Sequence, residues 1–177
     1  MIAFPAPHII AVALFIMTVD GRAISEPIED QDRPVRIVQV AGSGVDLLNT
    51  AIVHSKEETP TGMIQKSTET VDLTGDLKGR VLYHVTSDFD FVDGTLVNSG
   101  DQVYSGTIAG SEPVMLHDDQ FRFDVNLGTG QETGQVYLLD HIAGPKVRCR
   151  LDVVGTGLAP DGNPTFEYKG ECTFRGQ

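Results

Sequence analysis

Three side chains are candidates for acid–base chemistry: Glu69, Tyr83 and His141. Glu69 shares its strand parity with the apolar residues Val71 and Leu73, so it lies on an apolar wall if that set faces inward. Burial there would favour the protonated carboxyl and make Glu69 a proton donor or acceptor. The favoured alternative is that the polar middle of this segment is solvated on both faces.

The other two candidates are less well placed by pattern. Tyr83 belongs to the apolar face of GRVLYHVTSDFDF, where it could touch a bound molecule. His141 ends the segment VYLLDH, whose inward face is ambiguous. An isolated histidine is not a metal site, so His141 is a candidate for proton transfer only.

The two cysteines, Cys149 and Cys172, both lie on apolar faces of strands that meet at the turn APDG. If Ala159 pairs with Gly162 across this turn, counting back along both strands places Cys149 opposite Cys172. We expect a disulfide if the chain is exported, because that compartment is oxidising. Two buried free thiols or a metal pair are the alternatives, and no nearby histidine completes a tetrahedral metal set.

Two acidic stretches resemble metal loops in composition but not in spacing. Counted from Asp88, the EF-hand pattern meets Val92, Asp93 and Ser99 where it needs an oxygen ligand, a glycine and a glutamate. In HDDQ, residues 117–120, neighbouring side chains alternate in direction, and a solvated loop is the favoured interpretation. Motifs of serine hydrolases, nucleotide-binding loops and zinc proteases are absent from the sequence. We therefore predict no metal and no cofactor.

The N-terminus and the charge indicate where the chain resides. HIIAVALFIMTV is an apolar run too short to span a bilayer comfortably, and Gly21 and Ala23 flank Arg22 as a signal peptidase requires. We predict a signal peptide over residues 1–23, with an uncleaved anchor as the alternative, and a secreted or periplasmic location without membrane attachment after cleavage. The net charge of -12 makes nucleic acid an unsuitable partner.

The remainder predicts one all-β domain over residues 35–177, after a flexible acidic lead-in over residues 24–34. Turn residues recur every eight to twelve positions between short stretches rich in valine, threonine and aromatic residues. A strand is expected over residues 45–54 and a charged loop over residues 55–61. Short connections imply antiparallel neighbours, and so many twisted strands tend to close. We therefore predict an antiparallel up-and-down β-barrel of about eight strands.

Alternation assigns side chains to the interior. In the segment that contains Tyr83, the inward set includes Phe89 and Phe91, and in DQFRFDVNL it includes Phe121, Phe123, Val125 and Leu127. An eight-stranded barrel has room for one small ligand. The predicted wall of that ligand cavity consists of aromatic side chains: Tyr83, Phe89, Phe91, Phe121 and Phe123.

The order of VDLTGDLKG, SDFDF, GTLVNSGDQVYSGTI and DQFRFDV resembles that of the small calycin-type barrels grouped with allene oxide cyclases and dirigent proteins. The likeness covers residues 62–155. It implies an eight-stranded barrel whose apolar cavity orients a reactive small molecule, and it implies that a homo-oligomer can form. No catalytic position is matched residue by residue.

Three functions remain open at this point. The barrel binds a small lipophilic molecule in its interior, which we expect; or it is a cofactor-free cyclase or isomerase that uses Tyr83, Glu69 or His141; or it is an exported structural or interaction domain with a filled core. A cavity with only apolar lining favours the first function, and an acid or base near its centre favours the second.

Overall fold

A computed structural model describes residues 34–176, which form ten β-strands and one short 3₁₀ turn, Leu48–Thr50. The predicted signal peptide, and all of the predicted lead-in except Pro34, lie outside the described residues. The strands are β1 Val35–Asp46, β2 Ile52–Glu58, β3 Gly62–Gly75, β4 Leu77–Asp90, β5 Thr95–Ile108, β6 Val114–Asn126, β7 Glu132–Leu138, β8 Asp140–Ala143, β9 Val147–Leu158 and β10 Pro164–Arg175.

Eight of these strands close into an antiparallel barrel, which confirms the predicted fold class. The hydrogen-bonded order is β1-β10-β9-β7-β6-β5-β4-β3, and pairing of β1 with β3 closes the ring. Consecutive barrel strands are neighbours throughout, so the topology is up-and-down.

Two further strands are not part of the ring. β2 pairs with residues 63–68 of β3, and β8 pairs with residues 115–117 of β6. Within residues 34–176 no helix is long and apolar enough to cross a membrane.

The chain between β1 and β3 differs from the sequence prediction. The expected strand over residues 45–54 is interrupted by the 3₁₀ turn, and the expected charged loop is largely β2. All seven residues of β2 are exposed, because this strand pairs with the edge of β3 outside the barrel and covers no core. Its polarity suits an exposed ribbon as well as a loop, so composition could not distinguish them.

Alternation predicts the inward faces correctly within the strands and fails just beyond them. Phe121 is 2% exposed, whereas its neighbour Arg122 points outward and forms an ion pair with Asp124. Phe91, however, is 62% exposed, and Leu127 is 38% exposed. Both follow the last residue of a strand, so the period of two no longer sets their direction. The prediction that Phe91 lines the interior is therefore wrong.

One end of the barrel is closed by tightly packed side chains. Tyr168 Oη donates to Thr74 O at 2.9 Å and accepts from Leu77 N at 2.7 Å, which ties β10 to the turn between β3 and β4. Tyr104 Oη donates to Thr107 O at 2.7 Å. The buried apolar residues at this end are Leu77, Ile108, Val114, Leu116, Leu138, Val147, Cys149, Cys172 and Phe174. Their packing leaves the opposite end to hold any cavity.

The predicted disulfide joins Cys149 of β9 to Cys172 of β10. The turn is not the simple one that the sequence prediction assumed, because Ala159 N donates to Asn163 O at 2.8 Å, with Gly162 at a φ of +86°. This turn offsets the register by one residue. A second irregularity, next to Phe166, removes the offset and brings the cysteines opposite each other.

Removing the bond with Cys149→Ala and Cys172→Ala together should lower the free energy of unfolding by about 3 kcal/mol, because the loop of sequence separation 23 regains entropy in the unfolded chain. Equilibrium urea unfolding measures this change. Unfolding the natural chain with and without a thiol reductant measures the effect of the disulfide alone, because both cysteine side chains remain in place. Equal midpoints in the presence and absence of reductant would contradict the prediction.

Candidate functional site

A cavity of about 620 Å³ lies inside the barrel and reaches the end opposite the packed one. Loop and strand-end residues such as Thr129, Gly130 and Leu158 contribute to it at that end. Most of its wall is apolar and comes from inward-facing positions of the strands: Val71, Leu73, Val81, Leu96, Val125, Val136, Leu138, Leu151 and Val153. Alternation along each strand thus builds a wall of branched side chains around a space large enough for a small ligand.

Four of the five predicted aromatic residues line this cavity: Tyr83, Phe89, Phe121 and Phe123. Tyr83 and Phe121 meet edge to face, with ring centroids 5.8 Å apart, and Phe121 and Phe123 follow at 5.7 Å. Such contacts hold the rings in one orientation. Phe91 is absent from the lining because it belongs to the exposed turn after β4.

Tyr83 stands at the centre of a group of acidic side chains on one wall of the cavity. Its Oη lies 2.9 Å from Asp46 Oδ2 and 2.9 Å from Glu69 Oε2. Ser67 Oγ donates to Glu69 Oε1. Glu69 is only 8% exposed, so the favoured sequence interpretation, in which this stretch is solvated on both faces, is wrong.

Strand register explains why these residues meet. Glu69 of β3 is directly opposite Tyr83 of β4, so the two side chains point to the same face. Asp46 ends β1 and pairs with Val71, two residues from Glu69, where β1 and β3 close the barrel. Barrel closure is therefore the step that adds the second carboxyl to the group.

Tyr83 Oη lies between two carboxyl oxygens, Asp46 Oδ2 and Glu69 Oε2, but the phenol has only one hydrogen to donate. The Tyr83 hydroxyl donates to one carboxylate at a time, so its second contact is a hydrogen bond only when that carboxyl carries a proton. Burial, opposed in part by the Tyr83 hydrogen bond and increased by repulsion from Glu69 and Glu132, raises the pKa of Asp46 to about 7. Asp46 is therefore the residue that holds the additional proton near neutral pH.

Burial affects the other ionisable groups around Asp46 as well. Burial, together with the nearby Asp46 and Glu69, raises the pKa of Tyr83 far above its usual value, so the phenol keeps its hydrogen. Burial also raises the pKa of Glu132, a third acidic residue of the lining. Asp46 Oδ1 and Asn98 Oδ1 are buried without a hydrogen-bond partner among residues 34–176. These two acceptors therefore lack a donor within the part of the chain that the structure describes.

Sequence reasoning missed Asp46, Asn98 and Glu132. A signal for Asp46 was present, since it has the same parity as the inward-facing Val40 and Gly44 of β1. The predicted strand break before residue 45 hid that parity. Glu132 begins β7 directly after a loop, where no alternation precedes it.

His141 does not belong to the site. It lies on the exposed strand β8, and its Nε2 is 2.8 Å from Gly144 O. β8 pairs with residues 115–117 of β6 near the packed end, and His141 is not among the residues that line the cavity. The sequence prediction that His141 could take part in catalysis inside the barrel is wrong.

The acidic stretch HDDQ is also not the solvated loop that composition suggested. It lies within β6, and Asp118 is 1% exposed. Asp118 Oδ2 accepts from Gln102 Nε2 at 2.9 Å and from Tyr137 N at 2.8 Å. These two hydrogen bonds account for the burial of the Asp118 carboxylate, so no ligand is needed to explain it. In the part of the chain that the structure describes, no group of three or more His, Cys, Asp or Glu side chains could hold a metal ion.

Asp46→Asn should change how stability depends on pH. The raised pKa of Asp46, about 7 against an ordinary 3.8, means that its ionisation opposes folding. The natural protein should lose stability as pH rises from about 4 to 7, by up to about 4 kcal/mol from this group. Most of this loss falls between pH 5 and pH 8, so urea unfolding at these two pH values should show a smaller loss for Asp46→Asn than for the natural protein.

Asp93→Asn is the matched control, because it removes the same charge from the exposed turn after β4. Its pH dependence should follow that of the natural protein. A natural protein whose stability is unchanged or greater at pH 8 than at pH 5, with Asp46→Asn behaving identically, would contradict the assignment of the proton.

Comparisons with known proteins add no relative to this description. No protein-family model, curated protein or solved structure matches the chain. The resemblance to allene oxide cyclases and dirigent proteins therefore stays a prediction from sequence pattern. The fold and the cavity stand on the geometry of the chain itself.

Proposed function

We propose that the protein binds a small, mainly apolar molecule inside its barrel. The observation that carries the proposal is the cavity of about 620 Å³. Protein interiors are normally packed with few voids larger than a water molecule, and large apolar voids are costly. A cavity of this size, with a mainly apolar wall, favours ligand binding over the alternative of a structural domain with a filled core.

A second function, that of a cofactor-free cyclase or isomerase, is supported by Tyr83, Glu69 and Asp46. An isomerase must move a proton between two atoms of its substrate, and a group that titrates near the working pH does so most efficiently. Asp46, with its pKa raised to about 7, meets that condition. The apolar walls would restrict the conformations of the substrate and so direct ring closure.

The proposed setting is extracellular or periplasmic. The Cys149–Cys172 disulfide is compatible with an oxidising compartment, and the predicted signal peptide over residues 1–23 would direct the chain there. Export would fit a carrier that collects a poorly soluble molecule outside the cytoplasm. Homo-oligomer formation remains a prediction from the family resemblance.

Val153→Phe tests ligand binding, because Val153 lines the cavity and a larger ring would occupy its volume. The neutral fluorescent probe N-phenyl-1-naphthylamine should bind the natural protein and lose affinity by about tenfold or more in the variant. Val154→Phe is the matched control, since Val154 is the next residue and points outward. Equal loss of probe binding in both variants, or no binding by the natural protein, would contradict the proposal.

Native mass spectrometry of the protein from its own host distinguishes carrier from enzyme. A carrier should retain the same molecule in the natural chain and in Tyr83→Phe, because the phenyl ring still fills the same space and only the hydroxyl is lost. An isomerase should retain product in the natural chain and an isomer of the same mass in Tyr83→Phe. Chromatography of the released molecules separates the two isomers and decides between the functions.

A further inference from the structure

The charged groups of the cavity are all of one sign. Among the described residues that line it, Asp46, Glu69 and Glu132 are acidic, and none is Lys, Arg or His. They come from β1, β3 and β7, so the acidic character belongs to the cavity as a whole and not to one strand. An anionic ligand would meet repulsion here without a compensating cation.

The hydrogen-bonding inventory points in the same direction. Tyr83 and Ser67 already direct their hydroxyl hydrogens at carboxylates of the protein. Asp46 Oδ1 and Asn98 Oδ1, by contrast, are buried acceptors with no partner within residues 34–176. A buried acceptor without a donor is costly, so rotation of either side chain towards a ligand that donates hydrogen bonds would remove a penalty that an ether or an ester leaves in place.

We propose that the ligand is a lipophilic primary amine, bound as its ammonium ion against Asp46 and Glu69. This inference rests on the proposed ligand-binding function and names the chemical class of the ligand. An ammonium group supplies three donors and a positive charge, and an apolar chain fills the space among Phe89, Phe121 and Phe123. The two carboxyl groups converge, since each has an oxygen 2.9 Å from Tyr83 Oη.

Binding should be linked to proton release. The amine enters already protonated, and the proton that Asp46 holds near neutral pH leaves to solvent as the carboxylate pairs with the ammonium. The groups that face Asp46 are Glu69, Tyr83 and Glu132, so no basic side chain among them reverses the sign of this effect. Affinity for the amine should therefore rise between pH 5 and pH 8, while affinity for a neutral analogue stays constant.

Three ligands of equal chain length test the inference: decylamine, decanol and decanoate, each below its micelle concentration. Displacement of N-phenyl-1-naphthylamine at pH 8 measures their affinities. We expect decylamine to bind at least about tenfold more tightly than decanol, and decanoate to bind most weakly. In Asp46→Asn the affinity for decylamine should fall towards that of decanol, and the affinity for decanol should be unchanged.

Asp93→Asn separates a specific site from general attraction to an acidic protein, because it removes one negative charge outside the cavity, and all three affinities should stay as they are. Decanol equal to decylamine, decanoate bound most tightly, or a decylamine affinity that does not rise with pH in the natural protein would overturn the inference while leaving ligand binding intact. Failure of the probe and of all three ligands to bind the natural protein would overturn the proposed function as well. The pH series needs no variant, so a variant that does not fold leaves the inference open to refutation.

Discussion

Closure of β1 onto β3 is the contact on which both the fold and the site depend. Without it, eight antiparallel strands would form an open sheet with two unpaired edges and one exposed apolar face. With it, the inward positions of all eight strands face one another. Alternate side chains along each strand then point either into the core or to the surface. The same closure brings Asp46 beside Glu69 and Tyr83. The acidic group is thus a consequence of how the ring is completed.

The two ends of the barrel differ in how tightly their side chains pack. At one end, the disulfide and the hydroxyls of Tyr104 and Tyr168 secure the strands and the turns between them. At the other end, side chains of similar type leave a cavity. The polar residues Glu69, Tyr83 and Gln102 are opposite one another on β3, β4 and β5, and all three line the cavity. A rigid closed end can compensate for the packing energy that a cavity forgoes.

The sequence was informative wherever one strand could be interpreted by itself. Alternation placed Tyr83, Phe121 and the two cysteines correctly, because each lies well inside a strand whose period is unbroken. It failed for Phe91, whose direction depends on a turn, and it left the direction of His141 ambiguous, because that residue lies on an added strand that is not one of the eight in the ring. Asp46 and Glu132 lie at strand ends, and their place in the site depends on which distant strands become neighbours. The pairing of distant strands is a property of the closed barrel, and the alternation within a single strand does not reveal it.

The buried acidic group imposes its own constraint on function. Carboxyl groups held beside each other in an apolar wall are destabilising when both ionise, and the protein meets this by keeping a proton on Asp46 near neutral pH. A core built for stability alone would replace such a group with apolar side chains of similar volume, often at no loss. Tyr83 does not remove the conflict, because one hydrogen serves two acceptors. The group therefore keeps an unpaired acceptor at Asp46 Oδ1 and a carboxyl whose pKa lies near neutrality, and these are the two features that the proposed ligand would use.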